Sequence, residues 1–136
     1  MNAIESPRTH LVVGDGVTAA AFIEGLDLSR GDTLIVVGHH ASGLGRGIAY
    51  AEDRVEGPWR YAYLLNSPAD DIDANFAAWL EANWDKLSDR MQGRQPDWIG
   101  MATPLVKQGN TYGLNAPRAF YGDFLAGQTK TVLDGF

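Results

Sequence analysis

The sequence predicts an α/β fold with a parallel sheet, because two strand-like segments flank a helix-like one near the N-terminus. Residues 9–13 and 33–37 are mainly apolar runs without regular polar alternation, which is typical of parallel strands buried on both faces. Residues 17–26 carry apolar side chains at helical spacing. A helix that joins two parallel strands makes a right-handed crossover, so the three segments predict a βαβ unit. The inner stripe of the helix is predicted to comprise Val17, Ala20, Ala21, Phe22 and Leu26.

The turn between the first strand and the helix has the pattern G-x-G-x-x-A, which Gly14, Gly16 and Ala19 fill. In dinucleotide-binding units the first glycine makes the tight turn, the second lets the backbone approach a pyrophosphate, and the third small residue lets the helix pack closely. The N–H groups at the helix start attract the anion. The alternative is an ordinary tight turn. The candidate phosphate-binding residues are Gly14, Asp15, Gly16, Val17, Thr18 and Ala19.

The rest of the chain predicts one further short strand and two further helices within a single domain of residues 1–136, after a loose lead-in over residues 1–8. The strand is placed at residues 61–65. One helix begins at the N-cap Asp73 and ends near Arg90, and the other has Pro117 at its first position. Residues 93–98 are predicted to be a break, residues 101–115 are not assigned, and residues 127–136 are a short helix or a strand. The inner stripe of the first of these helices is predicted to comprise Phe76, Trp79, Leu80, Asn83, Trp84 and Leu87.

Composition excludes several classes of function. The formal net charge of −6 argues against nucleic acid or an anionic membrane as a partner. The absence of cysteine excludes thiolate chemistry and a zinc–thiolate site. No metal site is expected from the adjacent pair His39 and His40, because neighbours in an extended segment point in opposite directions. The N-terminal segment lacks the form of a signal peptide and no apolar run is long enough to span a membrane, so a cytoplasmic location is expected.

Three downstream segments, taken together with the glycine turn, resemble a known family. They are LGRGIAY at residues 44–50, LLNSPA at residues 64–69 and PRAFYGDFL at residues 117–125. In this order, they closely resemble the N-terminal region of a family of bacterial FAD/NAD(P)-binding proteins, which carry G-R-G-x-A-Y, L-L-N-x-P-A and P-R-x-x-Y-G-x-[YF]-L segments. The resemblance covers residues 9 to about 126.

The resemblance implies a Rossmann-like fold, partial relative to the full flavoprotein domain, in which the glycine turn holds the pyrophosphate of FAD. It places Arg46 and Asn66 near the flavin, with Arg118 facing the same cleft. A planar guanidinium also suits a phosphate. The alternatives are a solvated Arg46, an Asn66 that closes the turn before Pro68, and an Arg118 in a salt bridge. Two features depart from the family pattern: His39 replaces the acidic residue that binds a ribose hydroxyl, and no A-T-G-type turn is present.

The predicted function is therefore that of the FAD-binding, or NAD(P)-binding, portion of a flavin-dependent oxidoreductase, completed by further chain or by a partner subunit. No residue is assigned to catalysis, since the flavin carries the redox chemistry. The alternative is a non-catalytic binding or interaction module that kept the fold and lost the cofactor. A partial unit exposes a sheet edge and an apolar face, so self-association or a partner chain is also predicted.

Overall fold

The computed structural model describes residues 6–28, 31–38, 44–47, 49–50, 64–93 and 95–135. The fold of these residues is mixed α/β. The chain divides into two compact units, one of residues 1–51 together with 125–136 and the other of residues 52–124. The elements in chain order are β1 (Thr9–Val13), α1 (Val17–Gly25), β2 (Thr33–Val37), α2 (Ala69–Ile72), α3 (Ala74–Met91), α4 (Pro96–Lys107) and α5 (Arg118–Asp134).

The first unit is built on a βαβ arrangement. β1 and β2 pair in parallel, in a register that runs from Thr9 opposite Thr33 to Val13 opposite Val37. The N–H of Gly14 donates to the carbonyl of Val37 at 2.7 Å, which continues the ladder into the glycine turn. The predicted strands and their parallel pairing are confirmed.

The prediction that both faces of the two strands are buried is wrong. One face carries Val12, Leu34 and Val36, which pack with α1 and with the C-terminal part of α5. The opposite face carries Leu11, Val13, Ile35 and Val37, which are 64, 78, 46 and 52% exposed. The described helices of this unit cover only the first of these faces. Because the residues on both faces are mainly apolar, residue type does not show which face is buried and which is exposed.

The predicted helix α1 is confirmed, but its predicted inner stripe is largely wrong. Its buried residues are Ala19, Ala20 and Ile23, and only Ala20 belonged to the predicted stripe. Phe22 is 55% exposed and Val17 is 36% exposed. The predicted stripe included Ala21, which is exposed, and left out Ile23, which is fully buried, so the helix is rotated relative to the prediction.

Asp32, the residue that precedes β2, has a buried carboxylate that contacts β1 and the residue before it. The side chain of Asp32 is 1% exposed. Its Oδ1 accepts a hydrogen bond from the backbone N–H of Arg8 at 2.8 Å, and its Oδ2 lies 3.2 Å from Nε2 of His10 and 3.3 Å from Nη2 of Arg8. These contacts fix the end of the strand pair that lies away from the glycine turn.

In the second unit, α3 forms as predicted. The Oδ1 of Asp73 accepts a hydrogen bond from the N–H of Asn75 at 2.8 Å, so Asp73 is the N-cap. The helix ends at Met91, one residue beyond the predicted end. Four residues of the predicted stripe are buried, namely Phe76, Leu80, Trp84 and Leu87, whereas Trp79 and Asn83 are half-buried.

The prediction of a break at residues 93–98 is wrong at its C-terminal end, because α4 begins at Pro96. A proline is favoured at the first position of a helix, and Asp97 follows in the first turn. A second proline, Pro104, lies inside α4 and obscured the helical pattern in the sequence. The buried face of α4 consists of Trp98, Ile99, Ala102 and Val106.

The last helix is confirmed and is longer than the prediction required. It continues through residues 127–134, which the sequence left open between helix and strand. Pro117 lies immediately before it and forms an isolated antiparallel bridge with Leu64. Of the predicted strand at residues 61–65, residues 61–63 lie outside the described residues. None of the helices in the described ranges has the length and apolar character needed to cross a bilayer.

Candidate functional site

A groove of about 560 Å³ in the first unit brings the glycine turn together with part of the LGRGIAY segment. Its walls come from β1 and the turn, from the first two turns of α1, and from the segment that follows β2. The lining residues from that last segment are Arg46, Gly47, Ala49 and Tyr50. The groove therefore joins two of the four segments on which the family resemblance rests.

The backbone of the turn requires glycine at its first position. Gly14 has a φ of +123°, a conformation that side-chain-bearing residues rarely adopt. Gly16 is the N-cap of α1 and makes no side-chain capping bond. Because glycine offers no side-chain acceptor, Gly16 itself does not cap the first N–H groups of α1, which is typical of helix starts that bind an anion.

The loop of residues 44–47 is held against the turn by backbone contacts. The carbonyl oxygen of Asp15 accepts hydrogen bonds from the N–H of Gly45 at 2.7 Å and from the N–H of Gly47 at 3.2 Å. A Cβ on Gly47 would lie 2.9 Å from the Cα of Gly16, closer than real contacts allow. Gly47 thus lets the loop approach the turn closely, while the space at Gly45 is limited by the backbone of Leu125 and Ala126. Arg46 lies between these two glycines and lines the groove.

Arg46 gives the groove its charge. Among the described residues that line it, Arg46 alone is formally charged, and the others are glycine, threonine, tyrosine and apolar residues. An arginine and the start of a helix on one groove favour an anion, because guanidinium and helix N–H groups are both donors to oxygen atoms. Apolar walls next to this region suit the ring system of a nucleotide.

The side chain of Asp15 is buried behind the glycine turn, beside Gly38 and Gly47. It is 9% exposed and does not line the groove, although Gly14 and Gly16 on either side of it do. Its side chain lies beside Gly38, where a Cβ on that glycine would come within 2.7 Å of Oδ2 of Asp15.

The remaining sequence-predicted residues fall into three groups. Val17, Thr18 and Ala19 line the groove. His39 lies outside the described residues. Asn66 and Arg118 belong to the second unit, where Asn66 is exposed and Nε of Arg118 donates to the carbonyl of Leu64 at 3.1 Å.

Tyr50 lines the groove and was not among the predicted site residues. Its N–H donates to the carbonyl of Arg46 at 3.2 Å. The sequence carries a signal for it, since Tyr50 ends the LGRGIAY segment and follows Arg46 at a spacing of one helical turn. Phe22 is likewise a lining residue that sequence reasoning assigned to the core.

The chain matches no family model, and no curated protein or solved structure matches it.

Proposed function

We propose that the groove binds the diphosphate of a dinucleotide, with FAD as the first candidate and NAD(P) as the second. On this proposal the chain is the Rossmann-like, dinucleotide-binding part of a flavin-dependent oxidoreductase in the cytoplasm, completed by further chain or by a partner subunit. Its redox chemistry would belong to the flavin, while the protein supplies position and electrostatics.

The observation that carries the proposal is the position of Arg46. The glycine turn, the start of α1 and Arg46 all line the same groove, so the residues that carry both kinds of donor border one space. A diphosphate has oxygen atoms for both kinds of donor. That Asp15 is not among the lining residues also supports an anion here.

The apolar walls support a ligand that is larger than a free phosphate. Leu11, Val13 and Phe22 line the groove and expose between half and four fifths of their surface. Sites for cofactors combine such apolar area with a small number of polar groups that fix orientation. The residues present therefore fit the diphosphate and an attached ring system.

The proposal is tested by thermal unfolding with added FAD, NAD, NADP or ADP. A ligand that binds the native state at about 100 times its Kd stabilises the protein by about 2.7 kcal/mol, which is a rise in Tm of the order of 10 °C for a domain of this size. Arg46→Gln should lose most of this rise, because the charge-assisted contact is removed. Lys86→Gln, an exposed lysine of α3, is the matched control and should keep it.

A preparation whose Tm is unchanged by all four nucleotides would contradict the proposal. That outcome would favour the second candidate, a non-catalytic interaction module. The apolar face of the β1–β2 pair that the described helices leave uncovered supports this second candidate, since an exposed apolar surface of this kind is typical of protein-binding sites.

A further inference from the structure

Tyr50 lies one helical turn after Arg46 in the chain, and both residues line the groove. The backbone N–H of Tyr50 donates to the carbonyl of Arg46 at 3.2 Å, which is the bond between residues four apart that closes a turn of α-helix. Side chains at this spacing lie on the same side of a turn, with their Cβ atoms about 5–6 Å apart. The turn therefore brings a tyrosine and an arginine together on one wall of the groove.

Among the described residues that line the groove, two carry an aromatic ring, namely Tyr50 and Phe22. Phe22 belongs to the second turn of α1, beyond the helix start, whereas Tyr50 is bonded through its backbone to Arg46. A nucleotide joins a planar ring to its phosphate through a sugar, and the spacing of neighbours on a helical turn is comparable with the length of that sugar. Tyr50 is therefore the ring best placed to meet a base or a flavin whose phosphate Arg46 binds.

We infer that Tyr50 gives the groove a preference for phosphates that carry a planar ring, adenine or flavin, by stacking on that ring. The inference rests on the proposed function and adds the residue that recognises the ring. Tyr50 is half-buried, so part of its side chain remains accessible, and aromatic rings favour offset-stacked pairs. Adenine and flavin both have a π-face, so stacking accepts either ring and adds affinity that a bare phosphate lacks.

The first test compares ADP with methyl diphosphate by isothermal titration of the full chain. The two ligands present the same diphosphate group, and methyl diphosphate has no ring. Stacking of a base on an aromatic side chain is worth roughly tenfold in affinity, so the wild-type Kd for ADP should be lower by at least that factor. This comparison needs no variant, so it does not depend on the folding of one.

Substitution of Tyr50 tests the side chain separately from the turn, because the bond to Arg46 comes from the backbone. Tyr50→Leu should raise the Kd for ADP roughly tenfold and leave the Kd for methyl diphosphate unchanged. Tyr50→Phe keeps a ring and should retain the preference for ADP. Tyr112→Leu, which removes an exposed tyrosine of the second unit, is the matched control and should behave as the wild type. Titration with AMP and FMN identifies the stacked ring as that of the ligand which Tyr50→Leu binds more weakly.

Equal Kd values of the wild-type protein for ADP and methyl diphosphate would overturn the inference and leave the proposed diphosphate site intact. A Tyr50→Leu variant that binds both ligands more weakly by the same factor, or neither more weakly, would also overturn it, since the tyrosine would then act on the fold or not at all. Failure of ADP, FAD and methyl diphosphate alike to bind the wild-type protein would overturn both the inference and the proposed function.

Discussion

At the scale of single residues, Asp15 and Gly47 keep the loop of residues 44–47 in contact with the glycine turn. The carbonyl of Asp15 accepts both N–H bonds from the loop of residues 44–47, and its side chain occupies the space beside Gly38. Gly47 has a φ of +55° and leaves no room for a Cβ against Gly16. The glycine pattern in the sequence identified the turn, but the loop that packs on it depends on backbone contacts that residue type does not specify.

Gly47→Ala should therefore destabilise the protein and weaken nucleotide binding. The new Cβ would meet the Cα of Gly16 at 2.9 Å in a left-handed conformation, which together cost about 1–3 kcal/mol. Gly127→Ala is the matched control in the same unit. Gly127 lies in α5 with nothing within 4 Å of its Cβ position, so alanine there should stabilise by about 0.5–1 kcal/mol. Urea unfolding measures both changes, and equal midpoints for the two variants would refute the packing argument.

At the scale of elements, local signals located most helices and strands, and the errors concern their orientation. Strands β1 and β2 and helix α3 have the predicted limits to within one residue. The faces they bury depend on which helices cover them. α1 was predicted with the wrong inner face, because Val17 and Phe22 are partly exposed whereas Ala19, Ala20 and Ile23 are buried. α4 was not predicted because its internal proline resembles a helix terminator.

Asp73→Ala should destabilise α3 by about 1 kcal/mol, because Asp73 is the N-cap and accepts the N–H of Asn75. Asp85→Ala removes an exposed carboxylate from the middle of the same helix, where alanine is the better helix former, and should be close to neutral. The comparison requires guanidinium unfolding followed by circular dichroism. If the two variants unfold at the same denaturant concentration, the cap does not contribute as the geometry suggests.

At the scale of the whole molecule, the parallel strand pair presents one covered and one uncovered apolar face among the described residues. Val12 is 8% exposed on the covered face, whereas its neighbours Leu11 and Val13 are 64 and 78% exposed on the other. Large exposed apolar patches are uncommon on proteins that work alone. The uncovered face is therefore where we expect self-association or a partner chain.

Light scattering across a range of protein concentrations tests this expectation, because it measures the molar mass of the protein in solution. The wild-type chain should show a mass above that of one copy, and the double variant Leu11→Thr and Ile35→Thr should shift toward one copy, because threonine keeps β propensity and removes apolar area. Met101→Thr, which changes an exposed apolar residue of α4 in the second unit, is the control and should not shift it. A wild-type chain that is monomeric at every concentration, with no partner chain bound, would contradict the expectation.

The sequence by itself determined the two strands, their parallel pairing through a helix, the glycine turn and the capped helix α3. Each of these follows from residues close together in the chain: apolar runs, a G-x-G-x-x-A pattern, and an aspartate before a helical stripe. Only the tertiary structure decided which face of the strand pair is buried, how α1 is rotated, and that Gly45 and Gly47 bond the carbonyl of Asp15 so that Arg46 joins the groove. These features depend on the approach of backbone segments that are distant in sequence, and side-chain type carries little information about that approach.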